Sequence, residues 1–198
     1  AVRALAEDRV RDALFRAFGA WDVARAGRGR FALTDRLKTL RRLQRRLERF
    51  YHLEETPDVR GFVRESPKVG EREALLLRES EGELEVALIV PGTVANENDE
   101  WLQLAEGVSH FVYVTNRARQ ELPATQLELE LQAEVDKFVL LVLEQLPFHR
   151  GEAFEVHAQL YERVRFLHEA GTELGDRYRT ANDLPARFVR RLLSCGPL

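Results

Sequence analysis

The chain has 198 residues, 44% of them apolar and 32% charged, which suffices for one buried core under a wet surface and argues against global disorder. Its longest apolar run, Phe138 to Leu143, is far short of the roughly 20 residues a membrane-spanning helix needs, and charges scattered through residues 1–20 interrupt any secretory signal. The net charge of −3 conceals a split: residues 1–60 hold 15 basic and 9 acidic side chains (+6), residues 61–160 hold 8 and 19 (−11), and residues 161–198 hold 7 and 5 (+2), so the chain either presents a footprint for an anionic partner or has parts that attract each other.

In chain order, residues 5–19 predict a first helix with Val10, Ala13, Leu14, Ala17 and Phe18 on one stripe, ended by Gly27-Arg28-Gly29-Arg30. Thr34 is a suitable N-cap for a helix over 35–53, where Leu37, Leu40, Leu43, Leu47, Phe50 and Tyr51 recur at helical spacing and Pro57 stops the run. At about 100° per residue, Lys38, Arg41, Arg42, Arg45, Arg46 and Arg49 gather on the other arc of that helix. Only Asp35 lies clearly among them, with Glu48 at the edge. Such a face contacts phosphates or an anionic membrane, docks a protein partner, or pairs with the acidic middle of its own chain. No stacking aromatics or glycine-rich loop interleave with the cations, which ranks nucleic acid below a protein partner.

Leu75, Leu76 and Leu77, then Leu84, Val86, Leu88, Ile89 and Val90, flank Ser80-Glu81-Gly82 and predict one two-stranded hairpin near residues 73–90. Two strands alone are marginal in water, so the hairpin must lie on helices or meet another strand. A helix from Asn96 or Asn98 to about Arg119 follows. Within it Glu106 and His110 stand one turn apart, opposite Trp101, Leu104, Val108 and Phe111. A Glu/His pair at this spacing shares a metal, tunes a general base, or is a solvated surface pair. The Glu-x-x-His spacing of di-metal bundles and the His-Glu-x-x-His of zinc proteases are both absent.

The next predicted helix starts at Pro123 and runs to about Leu146. With its apolar centre on Leu127, Leu131, Val135, Phe138 and Val142, Glu128 and Glu134 border the core while Glu130, Asp136 and Lys137 look more exposed. A carboxylate drawn out of water needs a cation, a metal or donors, or it keeps its proton. Glu128 and Glu134 are therefore candidate functional acids, the alternative being an internal salt bridge with an arginine. A helix over 152–169 carries Val156, Leu160, Val164 and Leu167 inward, with His157, Tyr161 and His168 along its edge. Residues 173–194 are helical in pattern, either as two short helices separated at Asn182-Asp183-Leu184-Pro185 or as one helix kinked there. There Arg177, Tyr178, Arg179 and Asn182 form a polar cluster suited to clamping a carboxylate or phosphate, or to neutralising Glu128 and Glu134. The single cysteine, Cys195, excludes an intramolecular disulfide and fits a cytoplasmic location.

These elements predict a mainly α single domain over 1–198, α+β only through the hairpin, with a basic helical part at 1–60, a hairpin part at 61–95 and a helical bundle part at 96–198. There is no phosphate-binding glycine loop, nucleophile elbow or Cys/His framework, so no cofactor and no metal ion is expected. The leading expectation is a non-enzymatic adaptor that engages a protein or anionic partner through the 35–53 helix. Its rival is a small enzyme or ligand-binding protein in which Glu106, His110, Glu128, Glu134 and His168 converge in a polar cleft. Whether Glu106, His110, Glu134 and an edge histidine meet in space separates the two.

Overall fold

The computed structural model describes residues 30–53, 56–65, 73–80, 83–90, 97–144, 150–164, 166 and 168–195; the helix predicted over 5–19 lies outside them. The first described helix, α1 (Arg30–Phe50), starts before Thr34 because Leu33 continues the apolar period and packs on the core with Leu37. Leu40, Leu43 and Leu47 are fully buried, each worth roughly 1.5–3 kcal/mol on transfer from water. The helix ends at Phe50, where His52 takes a left-handed φ of 52° and Leu53 N–H bonds back to the Glu48 carbonyl at 2.8 Å. Gln44, fully buried on the same helix, holds the following turn by donating to the Pro57 carbonyl at 2.6 Å and accepting from Val59 N–H at 2.9 Å.

A 3₁₀ turn (Val59–Gly61) leads into β1 (Val63–Glu65), followed by β2 (Ala74–Ser80) and β3 (Glu83–Val90). The predicted hairpin forms, with Ala74 opposite Ile89 and Ser80 opposite Glu83. It is not alone, however: β1 pairs parallel to β3 from Val63 opposite Leu88 to Glu65 opposite Val90, giving a three-stranded mixed sheet of order β1-β3-β2. The third strand supplies what two strands lack, and Phe62 beside it packs against Phe111 with ring centroids 5.0 Å apart.

Four helical elements follow: α2 (Glu97–Arg119), α3 (Gln126–Glu144), α4 (Arg150–His157) and α5 (Glu173–Ser194). Gly107 lets α2 approach the sheet, since a Cβ there would stand 2.8 Å from Leu88 Cδ1. Where a helix over 152–169 was expected, α4 passes into a π turn at Ala158–Glu162 and stops, and Gly171 at φ 83° resets the chain for α5. Of the two arrangements expected for residues 173–194, the single helix forms and the pair of short helices does not: α5 runs through Pro185. Burial of Ala181, Pro185, Val189 and Leu193 along one face outweighs the roughly 3 kcal/mol an internal proline costs.

The interior divides into two apolar clusters. One joins α1, the sheet and α2, with Leu140 of α3; the other joins Phe138 of α3 to Ala153, Val156, Tyr161, Val189 and Leu193. Helix α3 therefore has neighbours on both sides. The fold is mainly α with a small mixed sheet, and no helix among the described residues is long and apolar enough to cross a membrane.

Candidate functional site

Because α3 is flanked on both sides, its polar arc turns inward. Asp136 and Lys137 are buried, against the expectation that they look outward, and so is His110 on α2. Lys137 Nζ lies 2.6 Å from Glu134 Oε1 and 3.3 Å from Glu106 Oε2. Burial alone would lower the affinity of this ammonium for its proton, but the two carboxylates outweigh burial and hold it above the ordinary lysine value.

One turn away, Glu106, His110 and Glu130 each place a ligand atom within 4.8 Å of the other two. Burial pushes the Glu130 carboxyl up to about 7, with the Glu106 charge adding to the effect. The His110 imidazole is pulled down by burial, partly countered by Glu106, so the neutral ring is favoured. Its buried Nε2 makes no hydrogen bond among the described residues. Tyr161, from the π turn, closes the far side by donating to the Glu134 carbonyl at 2.8 Å. Burial raises the Tyr178 hydroxyl, with Glu130 and Glu106 next in effect, which puts this α5 residue in the cluster's field.

Beside this cluster runs a second network with no free valence. Asp136 accepts from Ser109 Oγ at 2.6 Å, from Tyr51 at 2.5 Å and from Gln132 at 2.8 Å. Burial raises its carboxyl and the three donors oppose that, while burial and then the Asp136 charge raise the Tyr51 hydroxyl. The arrangement ties the end of α1 to α2 and α3. Buried Arg36 likewise bridges Glu65, at 3.0 Å, and Glu100. Both networks are satisfied internally, as structural networks are. The Glu106–His110–Glu130 group differs in its orphan nitrogen.

No family model matches this chain, and no curated protein and no solved structure matches it. The geometry stands by itself.

Of the five residues expected to converge, Glu106, His110 and Glu134 meet around Lys137 and Glu130. Glu128 does not: it forms a capping box with Thr125, accepting from Thr125 N–H at 2.8 Å while its own N–H donates to Thr125 Oγ1 at 3.2 Å. These bonds, backbone first, hold its carboxyl below the usual value. His168 is exposed and stacks on Tyr178 with centroids 5.5 Å apart. The 177–182 residues form no common clamp. Arg177 donates to Gln126 at 3.0 Å, Arg179 donates to the His168 and Gly175 carbonyls and lies over Phe166, and Asn182 is buried and donates to the Tyr161 carbonyl at 3.2 Å.

The basic row of α1 is largely occupied. Arg46 and Arg42 meet Glu144 at 2.7 and 3.6 Å, Arg41 meets Asp58 and Glu48 at 3.5 and 3.6 Å, and Lys38 meets Asp35 at 2.9 Å. Arg49 donates to the Arg45 carbonyl, and neither of these two arginines makes an ion pair among the described residues. The site residues that the sequence does not single out are Glu130 and Lys137. Their signal was the stripe Glu130, Glu134, Lys137 at i, i+4 and i+7, the same face-sharing spacing as Glu106 and His110.

Proposed function

We propose that this protein is a helical ligand-binding domain whose working site is the interior cluster of Glu106, His110, Glu130, Glu134 and Lys137, and that its ligand is small and positively charged. The observation that supports this reading is the buried, unpartnered Nε2 of His110, on a ring with a nitrogen within 4.8 Å of Glu106 and Glu130, in a cluster whose carboxylates outnumber its one buried ammonium. Desolvating ionisable groups and leaving one buried nitrogen unbonded works against stability, and groups held at a stability cost concentrate where ligands bind. A small cation offsets the carboxylate excess and meets the orphan nitrogen or the water bound to it.

The test is the double variant H110L/E130Q, in which leucine replaces the ring with an apolar group and glutamine removes the carboxyl charge. Its urea-unfolding free energy at pH 7.5 is expected to equal or exceed that of the parent by about 1–3 kcal/mol. In a thermal-shift screen of metal ions, amines and polyamines, at least one cation is expected to stabilise the parent and not the variant. A variant less stable than the parent by more than about 1 kcal/mol would show that the cluster is structural.

A second reading, an adaptor for an anionic protein or nucleic acid, draws on Arg45 and Arg49. Both are exposed on the outer arc of α1, and reversing them to glutamate should then abolish capture of such a partner with the fold intact.

A further inference from the structure

We propose that Glu106, His110 and Glu130 are the protein ligands of a single divalent transition-metal ion held between α2 and α3. The inference rests on the reading of the cluster as a cation site and names the cation. Three independent features point the same way.

The first is reach. One donor atom from each residue lies within 4.8 Å of the others. Three donors bound to one ion at about 2.0–2.2 Å lie about 3.3–3.8 Å apart, so side-chain rotations that move the donors by about 1 Å complete the set. The donors sit on two long helices, not on loops, and α2 is seated on the sheet between them at Gly107, where a Cβ would meet Leu88. A site on such elements is held in register.

The second is donor type. Two carboxylates and one imidazole suit zinc, manganese, iron(II) or cobalt, whereas magnesium and calcium prefer oxygen throughout. Three protein ligands leave at least one coordination position for water or a bound molecule. Glu106 and Glu130 are only partly buried, so an ion can reach them from the surface.

The third is the state of the ligands without the ion. His110 is 9% exposed, and its Nε2 is unpartnered among the described residues. Lys137 lies 3.3 Å from Glu106 Oε2, a contact that orients this carboxylate. Sequence spacing hid the set because the third ligand comes from a different helix.

The test uses the full chain stripped with EDTA and titrated separately with Zn²⁺, Mn²⁺ and Co²⁺ by calorimetry, the cobalt complex being followed also by visible absorption. At least one ion is expected to bind at one equivalent, and cobalt to develop a d–d spectrum that requires protein ligands. Affinity should fall about tenfold or more in E106Q, H110Q and E130Q. E155Q, which alters an exposed partner of Arg163 on α4, should bind as the parent does. Circular dichroism matching the parent validates each variant, and the cobalt spectrum of the parent reports ligation without any substitution. The proposal is overturned if none of the three ions binds at one equivalent up to about 1 mM, or if E130Q and H110Q bind as tightly as the parent. In that event, an amine or polyamine that stabilises the parent and not H110L/E130Q leaves the cation site standing with another ligand; a destabilised H110L/E130Q removes the site itself.

Discussion

Glu130→Gln should make the protein more stable in a strictly pH-dependent way. Burial and the Glu106 charge push the Glu130 carboxyl from 4.5 up to about 7 in the folded chain. Folding therefore strengthens its hold on the proton, and the contribution of this group is full below about pH 4.5 and is lost as pH rises through about 7. At about 1.4 kcal/mol for each tenfold change in proton affinity, ionised Glu130 costs the fold roughly 3 kcal/mol at pH 8. The side chain is partly exposed, which reduces the expected gain to about 2 kcal/mol. Glutamine matches the shape and carries no charge at any pH. Urea unfolding at pH 4.5, 5.5, 6.5 and 8 should show parent and E130Q coinciding at the acid end and separating by about 2 kcal/mol at the alkaline end, a difference of about 4–8 °C in melting temperature for a chain of this size. Curves that stay parallel, or that separate toward acid, would refute the claim that Glu130 is ionised against its surroundings.

Two further substitutions probe the frame around the site. Tyr51→Phe removes the hydroxyl that donates to Asp136 and accepts from Gln132 at 2.9 Å; a loss of about 1–3 kcal/mol in urea unfolding is expected, and a loss under about 0.5 kcal/mol would mean that the network does not anchor the end of α1. Arg46→Glu sets a like charge against Glu144 where the parent has a 2.7 Å ion pair between partly buried groups. It should cost about 1 kcal/mol, while Arg45→Glu, with no pair to lose, stays within about 0.5 kcal/mol of the parent. Equal effects at the two positions would show that the row is not paired internally.

What a single sequence shows clearly is local. Leu40, Leu43 and Leu47 advertise the buried face of α1 by spacing alone, and the hairpin is legible because apolar runs on either side of Ser80-Glu81-Gly82 pair with each other. Strand β1 is three residues long and finds its partner, β3, across the intervening β2, so neither its length nor its neighbours give it away. The continuation of α5 through Pro185 also depends on distant packing, on the cluster that Val189 and Leu193 share with Phe138 and Val156.

The site was hidden for a related reason, and α3 shows it best. A helical wheel assumes one buried face, centred here on Leu127, Leu131, Val135, Phe138 and Val142, of which Phe138 is buried and Val142 packs against the same cluster. In the fold Leu127 is 37% exposed, and Leu131 and Val135 instead line a groove with Leu184, Pro185 and Phe188 of α5. The fully covered residues Ala133, Asp136 and Leu140 lie on nearly the other side of the helix, about 180–240° around from Leu127. Helix α3 is clasped between α2 and α5, and a helix with two packed faces must bury part of the arc between them. On α3 that arc carries Glu130, Glu134 and Lys137, and on the facing surface of α2 stand Glu106 and His110. The polar groups are thus interior because of where α3 sits between its neighbours; the stripe Glu130, Glu134, Lys137 is legible on α3, but its burial is not. Lys137 neutralises part of what this placement buries, and Asp136 is satisfied by three donors. What remains is a carboxyl poised near neutrality beside an imidazole whose Nε2 has no partner among the described residues, a pairing that packing alone does not account for.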